Sequence, residues 1–370
     1  MKLIHCADIH LNSSLSTHLD GEKRKQRRTE ILHTFLRMVD YAEEQSVDGI
    51  LIAGDLFDTK KVDRSTGNAV ISAIAGHPEI LFFYLRGNHD ADGFLQSLEK
   101  IPDNLKLFGD TWRSYAWEEA GATIVITGAE SSARNTQTLY TSLRLDQKHI
   151  NLVMLHGQET PYAGEEGQDA EQIPLALLQN KGIDYLALGH IHTYKRGQLD
   201  ARGIYVYPGC LEGRGFDECG VHGFCLLDID AAHHKLQDTF VPFASRRLWE
   251  ASVDVSGCIS GVDVLTAVRE TLQEMQVQSE DLLKVCLIGS LPAGVEVDAE
   301  LLAMQLSQSF FYVKVVNRTV PEIDYASYSY DTSLKGEFVR LVQAQTGLSE
   351  EEKAKIIRTG ILALAGEAFV

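Results

Sequence analysis

The chain has 370 residues and a formal net charge of −18, with 34 basic and 52 acidic side chains. Its 44% apolar and 23% charged residues are typical of a globular protein and exclude a chain that is disordered throughout. The acidic balance excludes a nucleic-acid coat protein that is basic overall, but not a nucleic-acid enzyme whose charge is unevenly distributed.

Short apolar runs recur through the first two thirds of the chain, and several are continuous rather than alternating. Continuous runs are typical of strands that are buried on both faces. The predicted strands are residues 3–7, 49–53, 80–85, 123–128, 150–155, 184–188, 204–207 and 223–229. Helical patterns lie between them at 28–44, 65–75 and 174–178, so we expect an α/β core with sheets covered by helices.

A second region begins near residue 246, where the pattern changes. Strands are predicted at 248–255, 282–288 and 310–316, with helices at 262–275 and 299–307. Residues 331–370 read as two further helices, the second of which starts with a capping box from Ser349 to Glu352. We therefore predict three parts: residues 1–245, a small α+β domain at 246–330, and C-terminal helices at 331–370.

The apolar runs and the cysteines of the sequence indicate whether the chain spans a membrane and in which compartment it lies. No run of ~18 consecutive apolar residues occurs, which argues against a membrane span. The six cysteines form no C-x-x-C pair, so we expect reduced thiols and a cytoplasmic protein.

Polar side chains follow five of the predicted strands, where open α/β sheets build their sites. They are Asp8 and His10, then Asp55 and Asp58, then Asn88, His89 and Asp90, then His156, and finally His190 and His192. Oxygen and imidazole ligands without cysteine suit Mn, Fe or Zn. These groups outnumber the ligands of one ion, so we predict two ions that share a carboxylate.

The ordered series D-x-H, G-D-x-x-D, G-N-H-D, a single His and G-H-x-H resembles the calcineurin-like metallophosphoesterase superfamily over residues 8–192. The resemblance implies a four-layer β-sandwich flanked by helices. It also implies one ion bound by Asp8, His10, Asp55 and His192, and a second bound by Asp55, Asn88, His156 and His190. His89 would act on the phosphate and the leaving oxygen as the catalytic residue, while Asp58 and Asp90 would orient imidazoles or bound water.

Within the superfamily, the opening M-K-L-I-H-C-A-D-I-H-L and the segments A-G-D-L-F-D and L-R-G-N-H-D are similar to the SbcD-type DNA repair exonuclease subunits. That similarity implies a manganese-dependent DNA exo- or endonuclease, with Mg, Fe or Zn as other candidate metals. It further implies that residues 246–330 form a cap for DNA and that 331–370 dock onto an SbcC-type, SMC-like coiled-coil ATPase. A homodimer through 64–75 and 94–101 is a further possibility.

The sequence defines the type of reaction, phosphoester hydrolysis, more closely than it defines the substrate. The alternative to a DNA nuclease is a phosphodiesterase or phosphatase acting on nucleotides, other small molecules or phosphoproteins. Residues 251–370 carry 9 basic and 17 acidic side chains, an unusual balance for a cap that holds DNA. Candidate phosphate contacts are Lys60, Lys61 and Arg64 after the second motif, and Arg86, which could equally pair with a carboxylate.

Overall fold

The computed structural model describes residues 1–15, 19–58, 62–90, 93–96, 100–132, 135–161, 172–292 and 294–365. The chain divides into two compact units, Met1–Trp249 and Glu250–Val370. Among the helices in these described ranges, none has the length and apolar character that a membrane crossing requires.

The first unit is built from strands and helices that alternate along the chain. Its strands are β1 (Lys2–Cys6), β2 (Gly49–Ala53), β3 (Leu81–Leu85), β4 (Leu105–Leu107), β5 (Arg113–Glu119), β6 (Ala122–Gly128), β7 (Ile150–His156), β8 (Gln158–Thr160), β9 (Gln172–Pro174), β10 (Tyr185–Gly189), β11 (Lys195–Gln198), β12 (Ile204–Tyr207), β13 (Gly223–Asp230) and β14 (Lys235–Pro242). Its helices are α1 (Gly21–Glu44), α2 (Arg64–Gly76), α3 (Gly93–Gln96) and α4 (Thr136–Ser142).

Two six-stranded sheets organise this unit. The first has the order β14-β13-β1-β2-β3-β4, and the second has the order β11-β12-β10-β7-β6-β5. The inner strands β1, β2 and β3 run parallel, as do β6, β7, β10 and β12. The carboxyl ends of the parallel strands in each sheet therefore lie at one edge of that sheet.

The sheets pack face to face, and helices cover their outer faces. Leu3 and Leu51 belong to the core between the sheets, whereas Ile4 and Ile50 belong to the core beneath Phe35 of α1. Because both faces of these strands are buried, their sequences are mainly apolar, with His5 a buried exception in β1. A third core joins α4 to the outer face of the second sheet. The predicted four-layer α/β fold is confirmed.

Helix α1 starts earlier than its apolar pattern indicates. The side chain of Asp20 caps it by accepting a hydrogen bond from the backbone N–H of Lys23. The predicted helix at 174–178 is wrong, because β9 ends there and is followed by a single 3-10 turn, Leu175–Leu177. Five residues are too few to stabilise an α-helical nucleus without caps.

The second unit has a smaller sheet with its own helices. Its elements are β15 (Leu248–Asp254), α5 (Gly261–Glu274), β16 (Leu282–Ile288), β17 (Ser290–Leu291), α6 (Ala299–Leu306), β18 (Tyr312–Asn317), β19 (Val320–Pro321), α7 (Tyr325–Tyr328), α8 (Leu334–Gln343) and α9 (Glu350–Ala365). Strands β15, β16 and β18 form a three-stranded sheet, in which β16 and β18 are parallel. The predicted capping box is present: Ser349 Oγ accepts from the N–H of Glu352, whose carboxylate accepts from the N–H of Ser349.

Candidate metal centre

Five loops at the carboxyl ends of β1, β2, β3, β7 and β10 carry the predicted ligands. Asp8 and Asp55 each follow their strand by two residues, His156 is the last residue of β7, and His190 directly follows β10. The first three strands belong to one sheet and the last two to the other. The centre is therefore assembled where the two sheets meet.

One group of ligand atoms is formed by Asp8, His10 and His192, whose candidate donor atoms all lie within 4.8 Å of one another. The Nε2 atoms of His10 and His192 are 3.2 Å apart. Nε2 of His10 is also 3.8 Å from Oδ2 of Asp55. Two imidazole nitrogens and two carboxylates therefore converge on one point.

A second group is formed by Asp8, Asp55 and His156, again with donor atoms within 4.8 Å of one another. Nε2 of His156 lies 3.4 Å from Oδ2 of Asp55 and 2.9 Å from Oδ1 of Asn88. Asp55 is thus close to ligands of both groups, which is the position that a shared carboxylate needs.

The hydrogen bonds of His156 test whether a metal ion suits this second group. Its Nδ1 lies 2.9 Å from the carbonyl oxygen of Ala53, so that nitrogen carries the proton in the neutral ring. The Nε2 lone pair then faces the oxygens of Asn88 and Asp55, which are acceptors as well. Converging acceptors without a donor fit a divalent cation, and the described donor set contains no thiolate.

The pKa values of His156 and Asp55 are shifted in opposite directions because the two side chains lie close together. Burial disfavours a charged imidazole, but the hydrogen bond and charge of Asp55 outweigh it and raise the pKa of His156 to about 9. Burial likewise disfavours the Asp55 carboxylate, but His156 and His10 outweigh it and hold the pKa of Asp55 well below its usual range. Both shifts arise because the Asp55 carboxylate and the His156 imidazole are buried side by side.

His190 contacts the other predicted ligands through its backbone and its ring, although its ring nitrogens are in neither of the two groups. Its N–H donates to both carboxylate oxygens of Asp8, at 2.9 Å each, and its ring lies edge-on to that of His156 with 5.4 Å between centroids. Burial raises the pKa of Asp8, which is inaccessible to solvent. All seven predicted ligands therefore lie at one edge of the first unit.

The backbone is strained at four of these ligands. Asp8, His10, Asp55 and His190 have φ angles of 51°, 50°, 51° and 105°. Side chains other than glycine rarely adopt this region, at a cost of about 1–3 kcal/mol each. Such strain persists only where the surrounding fold enforces it, and four of the eleven non-glycine residues with positive φ in the described parts of the chain are predicted metal ligands.

The predicted catalytic residue His89 stands at the open side of the centre. Its side chain is 48% exposed, and its Nδ1 lies 3.1 Å from Oδ1 of Asp58. The same Oδ1 lies 3.2 Å from Nδ1 of His10, so Asp58 lies beside two imidazoles. The backbone N–H of His89 donates to Asp55 Oδ1 at 2.9 Å.

Asp90 contacts the backbone of two ligand loops. Its carboxylate accepts from the N–H groups of Leu56, Phe57 and Gly87 at 3.2, 2.8 and 3.0 Å. It thereby joins the second and third ligand loops. Burial outweighs these bonds and raises the pKa of Asp90 to about 6.

The candidate phosphate contacts differ in their surroundings. The guanidinium of Arg86 forms hydrogen bonds of 2.6 to 3.1 Å with both carboxylate oxygens of Glu130, so the pairing with a carboxylate is the one observed. Arg64 is exposed at the start of α2. Lys60 and Lys61 lie outside the described residues.

Two further residues beside the ligands were not predicted. Oε1 of Glu218 lies 2.7 Å from Nδ1 of His192, and Arg214 contacts both Glu218 and Asp58. They lie in the irregular segment between β12 and β13, which has neither a strand end nor a periodic pattern to mark it. Their charge and burial become informative only in the folded structure.

The family model for calcineurin-like phosphoesterases matches residues 1–194, a span that contains all seven predicted ligands. The chain is 28% identical over 313 residues to the Bacillus subtilis protein described as "Uncharacterized metallophosphoesterase YhaO", covering 79% of this chain and 72% of that one. It is 27% identical over 315 residues to "DNA double-strand break repair protein Mre11" of Aeropyrum pernix, covering 76% and 71%.

A third relative is a component of the nuclease SbcCD from Staphylococcus epidermidis, which is 23% identical over 282 residues, covering 67% of this chain and 71% of the relative. The family match, together with the convergent carboxylates and imidazoles, defines the chemistry as metal-dependent hydrolysis of phosphoesters. This chain belongs to the calcineurin-like phosphoesterase family.

Proposed function

We propose that the chain is a manganese-dependent DNA nuclease that hydrolyses phosphodiester bonds in DNA repair. The observation that carries the proposal is the extent of the likeness to the Aeropyrum pernix protein named for DNA double-strand break repair. That alignment covers 76% of this chain, whereas the family model ends at residue 194. The likeness therefore extends beyond the residues that any phosphoesterase of the family needs.

The residues at the centre support hydrolysis of a phosphodiester. When bound, divalent ions supply Lewis-acid polarisation of the phosphate and neutralise its charge. Because Nδ1 of His89 faces Asp58, the opposite side of its half-exposed ring is free to face a substrate. From there His89 donates a proton to the leaving sugar oxygen, and Asp58 stabilises the imidazolium before transfer.

Manganese is proposed from the chemistry of the donors. Carboxylate, amide and imidazole groups bind Mn, Mg, Fe and Zn, and the absence of thiolates among the described ligand groups removes the preference for soft ions. A comparison of activity with each of the four metals, after removal of bound metal by a chelator, tests the choice. Activity that returns with Zn or Fe but not with Mn contradicts it.

The proposed substrate is tested by direct competition between phosphoesters. The purified protein is given linear duplex DNA, single-stranded DNA, nucleotides and a phosphopeptide, each with Mn and with chelator, and kcat/KM is measured. We expect DNA to be the preferred substrate and the Asp55→Asn variant to be inactive on all of them. More efficient turnover of nucleotides or phosphopeptide by the wild-type protein contradicts the DNA assignment and favours the alternative.

We also propose that α8 and α9 dock onto a coiled-coil, SMC-like ATPase. The two helices pack through Val339, Val342 and Ile357, yet Leu341 of α8 remains 58% exposed. Leu341→Glu is expected to abolish binding to the ATPase without changing hydrolysis of short DNA. Gln343→Glu adds the same charge at an exposed position of α8 that lies about 200° around the helix from Leu341. It is the matched control and should still bind.

A further inference from the structure

The segment between β12 and β13 carries ionisable side chains that are almost fully buried. Glu218 is 5% exposed and His222 is 3% exposed, while the side chain of Arg214 is 17% exposed. Buried charges are unfavourable unless they are paired, so their retention beside the metal centre calls for a reason.

Glu218 is held in place by contacts at both carboxylate oxygens. Oε2 accepts from the backbone N–H of Arg214 at 2.7 Å, and the thiol of Cys210 lies 3.7 Å from it. Oε1 lies 2.8 Å from Nη2 of Arg214 and 2.7 Å from Nδ1 of His192. Burial disfavours the charged carboxylate, but the bond to His192 and the charge of Arg214 outweigh it and keep the pKa of Glu218 below its usual range.

The two neighbours of His192 Nδ1 favour opposite positions for the ring proton. A carboxylate only accepts hydrogen bonds, so Glu218 requires the proton on Nδ1 and leaves a lone pair on Nε2. A guanidinium only donates, and Nη2 of Arg214 lies 3.2 Å from the same Nδ1. If Arg214 were the partner, the proton would move to Nε2, the nitrogen that faces His10 at 3.2 Å.

We infer that Glu218 is a positioning residue for metal binding, because it fixes the tautomer of His192 against the opposing effect of Arg214. Arg214 in turn joins two orienting carboxylates, since its Nη1 lies 3.6 Å from Oδ1 of Asp58. The inference requires the metal centre but is independent of whether the substrate is DNA.

The test measures Mn²⁺ binding to metal-free protein by isothermal titration calorimetry, with thermal unfolding as a check on folding. Glu218→Ala leaves Arg214 beside Nδ1, so we expect the affinity of one of two Mn²⁺ sites to fall about 10- to 100-fold while the other changes little. Glu218→Gln keeps the shape and one acceptor oxygen, so its affinity should lie between those of the wild type and Glu218→Ala.

The double variant Arg214→Ala/Glu218→Ala separates tautomer control from general support of the fold. Without Arg214, no donor among the described contacts of Nδ1 favours the proton on Nε2. We therefore expect the double variant to bind Mn²⁺ more tightly than Glu218→Ala, by about tenfold. Asp238→Ala, which removes a carboxylate paired with Arg196 at 2.9 and 3.1 Å, is the control and should bind like the wild type.

Two results would overturn the inference. Unchanged affinity at both sites in Glu218→Ala would mean that the carboxylate does not control His192. A double variant that binds no more tightly than Glu218→Ala would mean that Glu218 only supports the local fold, whatever the thermal stability of the two proteins.

Discussion

Replacement of Gly87 by alanine tests how closely the ligand loops are packed. A Cβ atom at this position would lie 2.2 Å from Oδ1 of Asp55 and 2.7 Å from its backbone nitrogen. The backbone of Gly87 is not left-handed, so alanine introduces no conformational strain of its own. The expected effect is therefore purely steric and acts on the carboxylate that lies between the two groups of ligands.

The size of the effect follows from these distances. To reach an ordinary van der Waals separation, Oδ1 of Asp55 must withdraw by about 1 Å. That movement also breaks its 2.9 Å hydrogen bond with the N–H of His89. A displacement of about 1 Å in a catalytic group costs about 100-fold in rate, which corresponds to about 2.7 kcal/mol in transition-state stabilisation. Overpacking should also lower the free energy of unfolding by about 1–3 kcal/mol.

The assay is hydrolysis of a chromogenic phosphodiester at saturating Mn²⁺, together with Mn²⁺ stoichiometry and thermal unfolding. Gly109→Ala is the matched control, because a Cβ there has no other heavy atom within 4 Å. We expect its kcat/KM to stay within about twofold of the wild type. A Gly87→Ala protein with wild-type kcat/KM and full Mn²⁺ stoichiometry would refute the close packing between this loop and Asp55.

Three further predictions concern other parts of the chain. His89→Ala should retain both Mn²⁺ ions, as measured by metal analysis, yet lose at least about 100-fold in kcat, because a positioned proton donor contributes that much; normal kcat would exclude His89 from catalysis. Arg27→Ala should lower the free energy of unfolding by about 3–5 kcal/mol in urea titration, because the buried carboxylate of Glu212 loses the cation that contacts it at 3.0 Å. Lys100→Ala, which breaks an exposed ion pair, should cost less than about 1 kcal/mol in the same experiment. Ser349→Ala should destabilise α9 by about 1 kcal/mol, detectable by faster amide exchange in its first turn, and unchanged exchange would argue against the capping box.

Strands that are buried on both faces could be predicted, because burial of both faces requires a continuous run of apolar residues. Gly49–Ala53 is buried at every residue, and its sequence is continuously apolar. Strands β5 and β14 were missed because each lies at the edge of its sheet and alternates between exposed and partly buried residues. A search for continuous apolar runs does not detect such strands.

In the candidate site too, residues that follow a buried strand could be predicted, whereas contacts between residues far apart in the sequence could not. Asp8 and Asp55 could be predicted as neighbours because each directly follows a buried parallel strand. The contact of Glu218 with His192 could not be predicted, since it depends on the path of an irregular segment across 26 residues. Likewise, the pairing of Arg86 with Glu130 spans 44 residues and has no local signature.

The meeting of the two sheets at the metal centre has a consequence for the order of events during synthesis. Asp8 contacts His190, and His10 contacts His192, across 182 residues of chain. Contacts of such long range form late, because closing the intervening loop carries a large entropy cost. At a ribosomal rate of about 5–20 residues per second, Glu218 emerges roughly 10–40 s after Asp8. The nascent chain therefore cannot assemble the complete set of predicted ligands until most of its first unit has left the ribosome.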